Sequence, residues 1–265
     1  MITAGLPYPP QKRANDGVIR VSLSDDGEQV RRVMRILGIE SSSLVAGVAL
    51  VTDGILTAEY TVNYKKTHSQ TLLPMLDEIG RLLELDLHTV DGIAVSAGPG
   101  SFTGLRIGSA TAKGLGLALN KPLLAVPTVE ALAYNLWGAS SLVCPIMDAR
   151  RNQVYTGLYY VEEELLVEKE PCAMDMHALI GELNARGERV LFLGDGVPVY
   201  EPVIRRELTV PCAFAPAQSS RQRAASVAAL GYLYMKRGEM VDAAEFKPEY
   251  LRKPQAERER EGIEL

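Results

Sequence analysis

From Met34 onward the apolar positions fall into short strand-like runs, separated by stretches in which they recur every three or four residues. Arg35-Ile36-Leu37-Gly38-Ile39 is a compact buried-strand run, followed by Ala46 to Thr52 and Leu56 to Tyr64 around Asp53-Gly54. Asp-Gly between alternating apolar runs predicts a tight hairpin. From Ser69, Leu72, Met75, Leu76, Ile79, Leu82 and Leu83 recur at helical spacing, with Pro74 early in the helix or bending it. A strand Ile93 to Ser96, a glycine-rich loop from Ala97 to Gly104, a helix to Asn120 and a strand Leu123 to Val126 follow. A second sheet is predicted over Leu142 to Asp148, Gln153 to Val161 and Val190 to Leu193, with a late helix over Ser226 to Lys236. An opening meander followed by strand–helix alternation indicates an α/β fold with mixed sheets.

Residues 1–33 differ in character, with Leu6-Pro7-Tyr8-Pro9-Pro10 and then Val18 to Ser22 as a short strand, and are read as an extension ahead of a natural start at Met34. The rest divides into a first domain over 34–138, a second over 139–223, a helix over 224–240 that returns to the first, and a tail over 241–265 whose Glu257 to Glu261 is a solvated charged end. A net charge of -5 argues against gripping nucleic acid over a broad surface. Cys144, Cys172 and Cys212 lie far apart without metal or disulfide spacing, which suits a reducing compartment. Neither a membrane-length apolar run nor a signal-peptide core is present, so a cytoplasmic location is expected.

Chemistry concentrates in a few loops. Gly98-Pro99-Gly100-Ser101-Phe102-Thr103-Gly104 has the glycines for a tight turn and for an anion at the next helix N-terminus. It nevertheless misses the dinucleotide, P-loop and nucleophile-elbow patterns. A turn that packs the helix on its sheet and an anion-binding loop both remain open. In the helix behind it, Gly108, Ala110, Ala112, Gly114, Gly116 and Ala118 allow close approach, either of the chain's own sheet or of a partner helix. Glu40-Ser41-Ser42 at a strand end, Asp148 before Arg150 and Arg151, and Gly194-Asp195-Gly196 are candidates for a phosphate with magnesium, or else turn formers and caps. His68 precedes a helix start without a matched partner, and His88 and His177 read as surface residues.

Gly38 to Ser42, Lys66 to Pro74, Gly98 to Gly108, Met147 to Arg151 and Pro248 to Arg252, in that order, closely resemble the TsaB (YeaZ) family, over Met34 to about Lys253. The resemblance implies two tandem actin-like ATPase (ribonuclease H-like) domains, the second reduced. It implies a role in forming N6-threonylcarbamoyladenosine at position 37 of tRNAs that read codons starting with adenine. There a TsaB-like subunit supports the catalytic paralogue TsaD together with TsaE, forms a homodimer when isolated, and meets tRNA mainly through the complex. TsaD-like catalysts hold a metal with two histidines at HxxxH, and those positions fall here on Thr128 and Leu132. No catalytic residue and no metal site are therefore expected, and no cofactor beyond weak ATP or ADP with magnesium at a complex interface. The partner face is expected on Leu72, Leu73, Leu76, Ile79 and Leu83 of one helix and Leu105, Gly108, Ala112 and Leu115 of the next. The rival reading is an independent enzyme, either a nucleotide-dependent phosphotransferase or a glycoprotease-type metallopeptidase.

Overall fold

The computed structural model describes residues 33–64 and 68–251. Val18 to Ser22, Leu6 to Pro10 and Glu257 to Glu261 lie outside the described residues.

β1 (Arg35–Glu40), β2 (Val45–Thr52) and β3 (Ile55–Asn63) form an antiparallel meander, and β4 (Gly92–Gly98) and β5 (Leu123–Pro127) join in parallel, giving the order β3-β2-β1-β4-β5. Asp53 and Gly54 both take positive φ, the backbone of a two-residue hairpin. The central strands are apolar on both sides because both faces are covered. Leu37, Ile39, Val48, Leu50 and Val95 pack with α1 (His68–Leu83) and α2 (Phe102–Leu119). Ile36, Ala94 and Leu124 pack on the opposite face with Val227 and Leu230 of α6 (Ala224–Arg237). Alternate residues of a strand point to opposite faces, so one apolar run serves two cores.

The second sheet repeats the plan with β6 (Ala139–Asp148), β7 (Gln153–Val161), β8 (Leu165–Asp175), β9 (Val190–Leu193) and β10 (Cys212–Phe214), in the order β10-β9-β6-β7-β8. α4 (Met176–Arg186) and α5 (Val197–Glu207) supply Leu179, Ile180, Tyr200 and Ile204 to one core, while α3 (Thr128–Tyr134) supplies Val129, Leu132 and Ala133 to the other. Asn135, just after α3, donates to Ser219 O at 3.1 Å and Arg221 O at 2.6 Å and accepts from Ser226 Oγ at 2.6 Å. One side chain thereby ties together the two stretches of chain that pass between the sheets.

α6 lies unusually close to the first sheet. A Cβ at Gly231 would stand 2.4 Å from Ala94 Cβ, and one at Gly38 2.6 Å from Ala224 O. Beyond α6 the chain is folded down rather than free. Val241 pairs with Leu123, Ala243 and Phe246 are buried, and Lys113 Nζ donates to Ala244 O at 2.8 Å and Phe246 O at 3.1 Å. The strap ends beside the glycine-rich loop, where Glu249 N donates to Ala97 O at 2.7 Å.

These contacts make two residues sensitive. Gly231→Val should destabilise the chain by about 1–3 kcal/mol through overpacking, and Phe246→Ala by about 3–5 kcal/mol through the cavity it leaves. Urea unfolding measures both, and changes below about 0.5 kcal/mol would show that α6 and the strap are not seated as described.

Candidate functional site

The ends of β1, β4, β6 and β9 converge on a cleft of about 530 Å³ lined by Ser42, Ser43, Gly100, Ser101, Phe102, Asp148, Arg150, Tyr155, Asp195 and the strap residues Glu249 to Leu251. Its inner wall is the turn Ser41–Ser43. Strand β1 ends in Glu40, 1 % exposed, whose Oε1 accepts from Ser42 N at 2.7 Å and Ser42 Oγ at 2.5 Å. Glu40 Oε2 has no hydrogen-bond partner. Burial pushes this carboxyl above its ordinary range, against the pull of Ser42, and the charge of Asp195 adds to the rise.

The glycine-rich loop closes on that turn. Ser101 N donates to Ser42 O at 2.7 Å, and Ser41 Oγ donates to Gly104 O at 2.9 Å. Ser101 caps α2 by accepting from Gly104 N. Side chains at Gly100, Gly104 or Gly108 would strike Ser42 O, Ser41 O and Ser41 Oγ at 2.1–2.3 Å. His68 holds the turn from the other side, its Nε2 2.8 Å from Ser43 O. A carbonyl only accepts, so Nε2 carries the proton and Nδ1, buried without a partner, is a bare acceptor.

Across the cleft, Asp148 Oδ1 accepts from Arg150 N at 2.9 Å and Tyr200 OH at 3.1 Å. Gly194 N and Gly196 N donate to Ser220 O and Ile146 O, each at 3.0 Å. Burial pushes Asp195 up while Arg221, bonded to Gly194 O at 2.7 Å, pulls it down. The structure thus brings Ser42, Gly100, Ser101, Asp148 and Asp195 to one cleft. Thr103 is exposed on the first turn of α2, while Glu40, Ser41, Gly98, Gly104 and Gly194 are buried behind the loops. The backbone amides that could cradle an anion at Ser42, Ser101, Gly104, Gly194 and Gly196 all donate within the chain.

Thr128 and Leu132 are both fully buried, and Leu132 packs with Val143, Met147 and Leu193, its Cδ2 3.1 Å from where a Cβ on Gly194 would stand. A threonine hydroxyl and an isobutyl group do not fit a metal's needs at these positions. Among the described residues no group of three or more His, Cys, Asp or Glu could hold a metal ion.

The expected partner face needs correction. Leu72, Leu76, Ile79, Leu105, Gly108 and Ala112 are buried in the chain's own core, because the helical stripe they form covers the first sheet, and Leu115 is partly buried against that core. Only Leu73 and Leu83 of the named residues are exposed. The apolar surface actually left outside is Leu73, Leu82 and Leu83 on α1, Leu117 on α2, and Tyr60 and Tyr64 beside the β3 edge. Strap residues Glu249, Tyr250 and Leu251 were also missed as cleft lining. The Pro248 to Arg252 motif was the available signal.

Two mixed five-stranded sheets facing a cleft built from their loop ends define an α/β protein of the actin-like ATPase fold. The family model for tRNA N6-adenosine threonylcarbamoyltransferase, TsaD, matches residues 56–260. The Bacillus subtilis tRNA threonylcarbamoyladenosine biosynthesis protein TsaB is 34 % identical over 228 residues, which cover 84 % of this chain and 96 % of that protein. Its Escherichia coli namesake is 36 % identical over 133 residues, 49 % of this chain and 57 % of that protein. The structure of YeaZ from Pseudomonas aeruginosa superposes with a TM-score of 0.71 at 28 % identity, covering 82 % of this chain and all of that one. The chain belongs to the TsaB (YeaZ) family.

The buried Glu40 gives a pH prediction. Folding favours its protonated form, so the folded chain binds that proton more tightly than the unfolded chain does. The resulting penalty is absent below the ordinary value of 4.5 and complete above the raised one. Glu40→Gln keeps an acceptor for Ser42 and removes the charge. Its urea midpoint should exceed the parent's at pH 8, with the gap closing as pH falls toward 5. A gap of equal size at both pH values would show that Glu40 does not titrate as its burial requires.

Proposed function

We propose that this chain is a non-catalytic subunit required for N6-threonylcarbamoyladenosine formation at position 37 of tRNAs that read codons starting with adenine. In this reading it binds and supports the catalytic TsaD subunit and works with TsaE in the cytoplasm. It pairs with itself when isolated and meets tRNA mainly through the complex. Weak ATP or ADP with magnesium belongs at the complex interface. The names of the TsaB relatives support the pathway. The single observation that carries the accessory role is Leu132 packed against Gly194, with Thr128 beside it, where a catalytic relative needs imidazoles. Among the described residues no helix is long and apolar enough to cross a membrane.

The partner surface follows from what folding leaves uncovered. Leu73, Leu82 and Leu83 of α1, with Tyr60 and Tyr64 of the neighbouring edge strand, rim an apolar groove of about 880 Å³. Such a patch is the kind of surface that marks a protein interface.

Reconstitution with the cognate TsaD and TsaE, omitting one component at a time, tests the proposal. Modified tRNA should fall to background without this chain, and full modification in its absence would overturn the role. Leu73→Glu with Leu83→Glu should weaken TsaD co-purification at least tenfold with little change in melting temperature. Unchanged co-purification would move the interface elsewhere.

A further inference from the structure

The cleft has a ligand preference opposite to the one its glycine loop suggests. A phosphate needs unspent backbone donors and positive charge. The donors at Ser42, Ser101, Gly194 and Gly196 are taken by Glu40, Ser42 O, Ser220 O and Ile146 O. The charged residues lining the cleft are Asp148, Asp195 and Glu249 against Arg150 alone. Two acceptors are bare: Glu40 Oε2, on a side chain 1 % exposed, and Asp195 Oδ1. The charge of Asp195 reaches Glu40, so the two acceptors share one wall. Buried acceptors without partners are costly and favour a ligand that donates.

The other wall is aromatic. Tyr250 leans on Phe102 with ring centroids 5.0 Å apart, and the Arg106 guanidinium lies 4.0 Å over the Phe102 ring. Tyr250 remains 39 % exposed and lines the cleft together with half-buried Tyr155. A π face beside hydrogen-bond acceptors suits a planar heterocycle carrying amino and hydroxyl groups.

We propose that the cleft binds an uncharged purine nucleoside group, as free nucleoside or as an unstacked base of RNA, and rejects its phosphorylated forms. The base lies against Tyr250 and Tyr155, and its amino or ribose hydroxyl groups donate toward Asp195 and Asp148. A triphosphate would place its negative charge among three carboxylates, a repulsion that the single Arg150 does not offset.

Calorimetry on the full isolated chain tests this with adenosine, with ATP in the presence and absence of magnesium, and with a short single-stranded oligoadenylate bearing a 5′-hydroxyl. Adenosine should bind saturably and ATP at least tenfold more weakly. Tyr250→Ala and Asp195→Asn should each lower adenosine affinity at least fivefold at unchanged melting temperature. Asp148→Asn should narrow the gap between adenosine and ATP. Competition between oligoadenylate and adenosine assigns the site to RNA bases, whereas binding of adenosine alone assigns it to the free nucleoside, and both support the proposal. ATP binding as tight as adenosine, binding insensitive to Tyr250→Ala, or no binding of either adenosine or oligoadenylate would overturn it. The assembly role is read separately by the reconstitution, so either result can fail while the other stands.

Discussion

Everything in the cleft depends on one close approach: the turn Ser41–Ser43 packed on the start of α2. Ser41 O stands 2.1 Å from where a Cβ on Gly104 would lie, and Ser41 Oγ as near to that of Gly108. Only glycine leaves that room, and the helix accepts two such residues in its interior despite their propensity cost. Once the helix sits there, Ser101 N reaches Ser42 O, Ser41 Oγ reaches Gly104 O, and His68 closes the turn from behind. Glu40 is sealed beneath with one oxygen bonded and one bare. The glycine loop therefore serves as a packing device, and its anion-binding capacity is used up by the chain itself.

The same logic explains which parts of the molecule could be read from residues. The meander, the Asp53-Gly54 turn, α1, α2 and the central strands carry strong periodicity, because each of them faces a large apolar core on at least one side. The missed elements lack that signature. β8 is an edge strand whose Glu168, Lys169 and Glu170 break any alternation, and α5 contains Pro198 and Pro202. α3 is short and buried along nearly its whole length, so it shows no polar face.

Site legibility was uneven for a different reason. Loop residues announce themselves by composition, and Ser42, Gly100, Ser101, Asp148 and Asp195 do meet at one cleft. Burial partners do not announce themselves. The stripe Leu72, Leu76 and Ile79 has the spacing of an interface and the spacing of a core, and only the position of the sheet decides between them. The strap was legible as the motif Pro248 to Arg252 but not as cleft lining, since Phe246 and Ala243 take their meaning from α2 and β5, distant in sequence.

A fold shared with nucleotide-binding proteins leaves a cleft behind even when the nucleotide's contacts are gone, and the residues that replace them decide what the cleft becomes. Here the replacement is systematic. Leu132 fills the space beside Gly194, Ser42 satisfies Glu40 where a phosphate would draw on its amide, and Tyr250 brings an aromatic ring to the mouth from the far end of the chain. Each change lowers the affinity for anions or raises that for flat, donor-bearing groups, and none adds positive charge. Asn135 meanwhile bonds both stretches of chain that pass between the sheets, which restrains their movement against each other. A restrained cleft with its loops bonded inward is poorly suited to a catalytic cycle of opening and closing. It is well suited to presenting a fixed outer surface, which is what a supporting subunit requires.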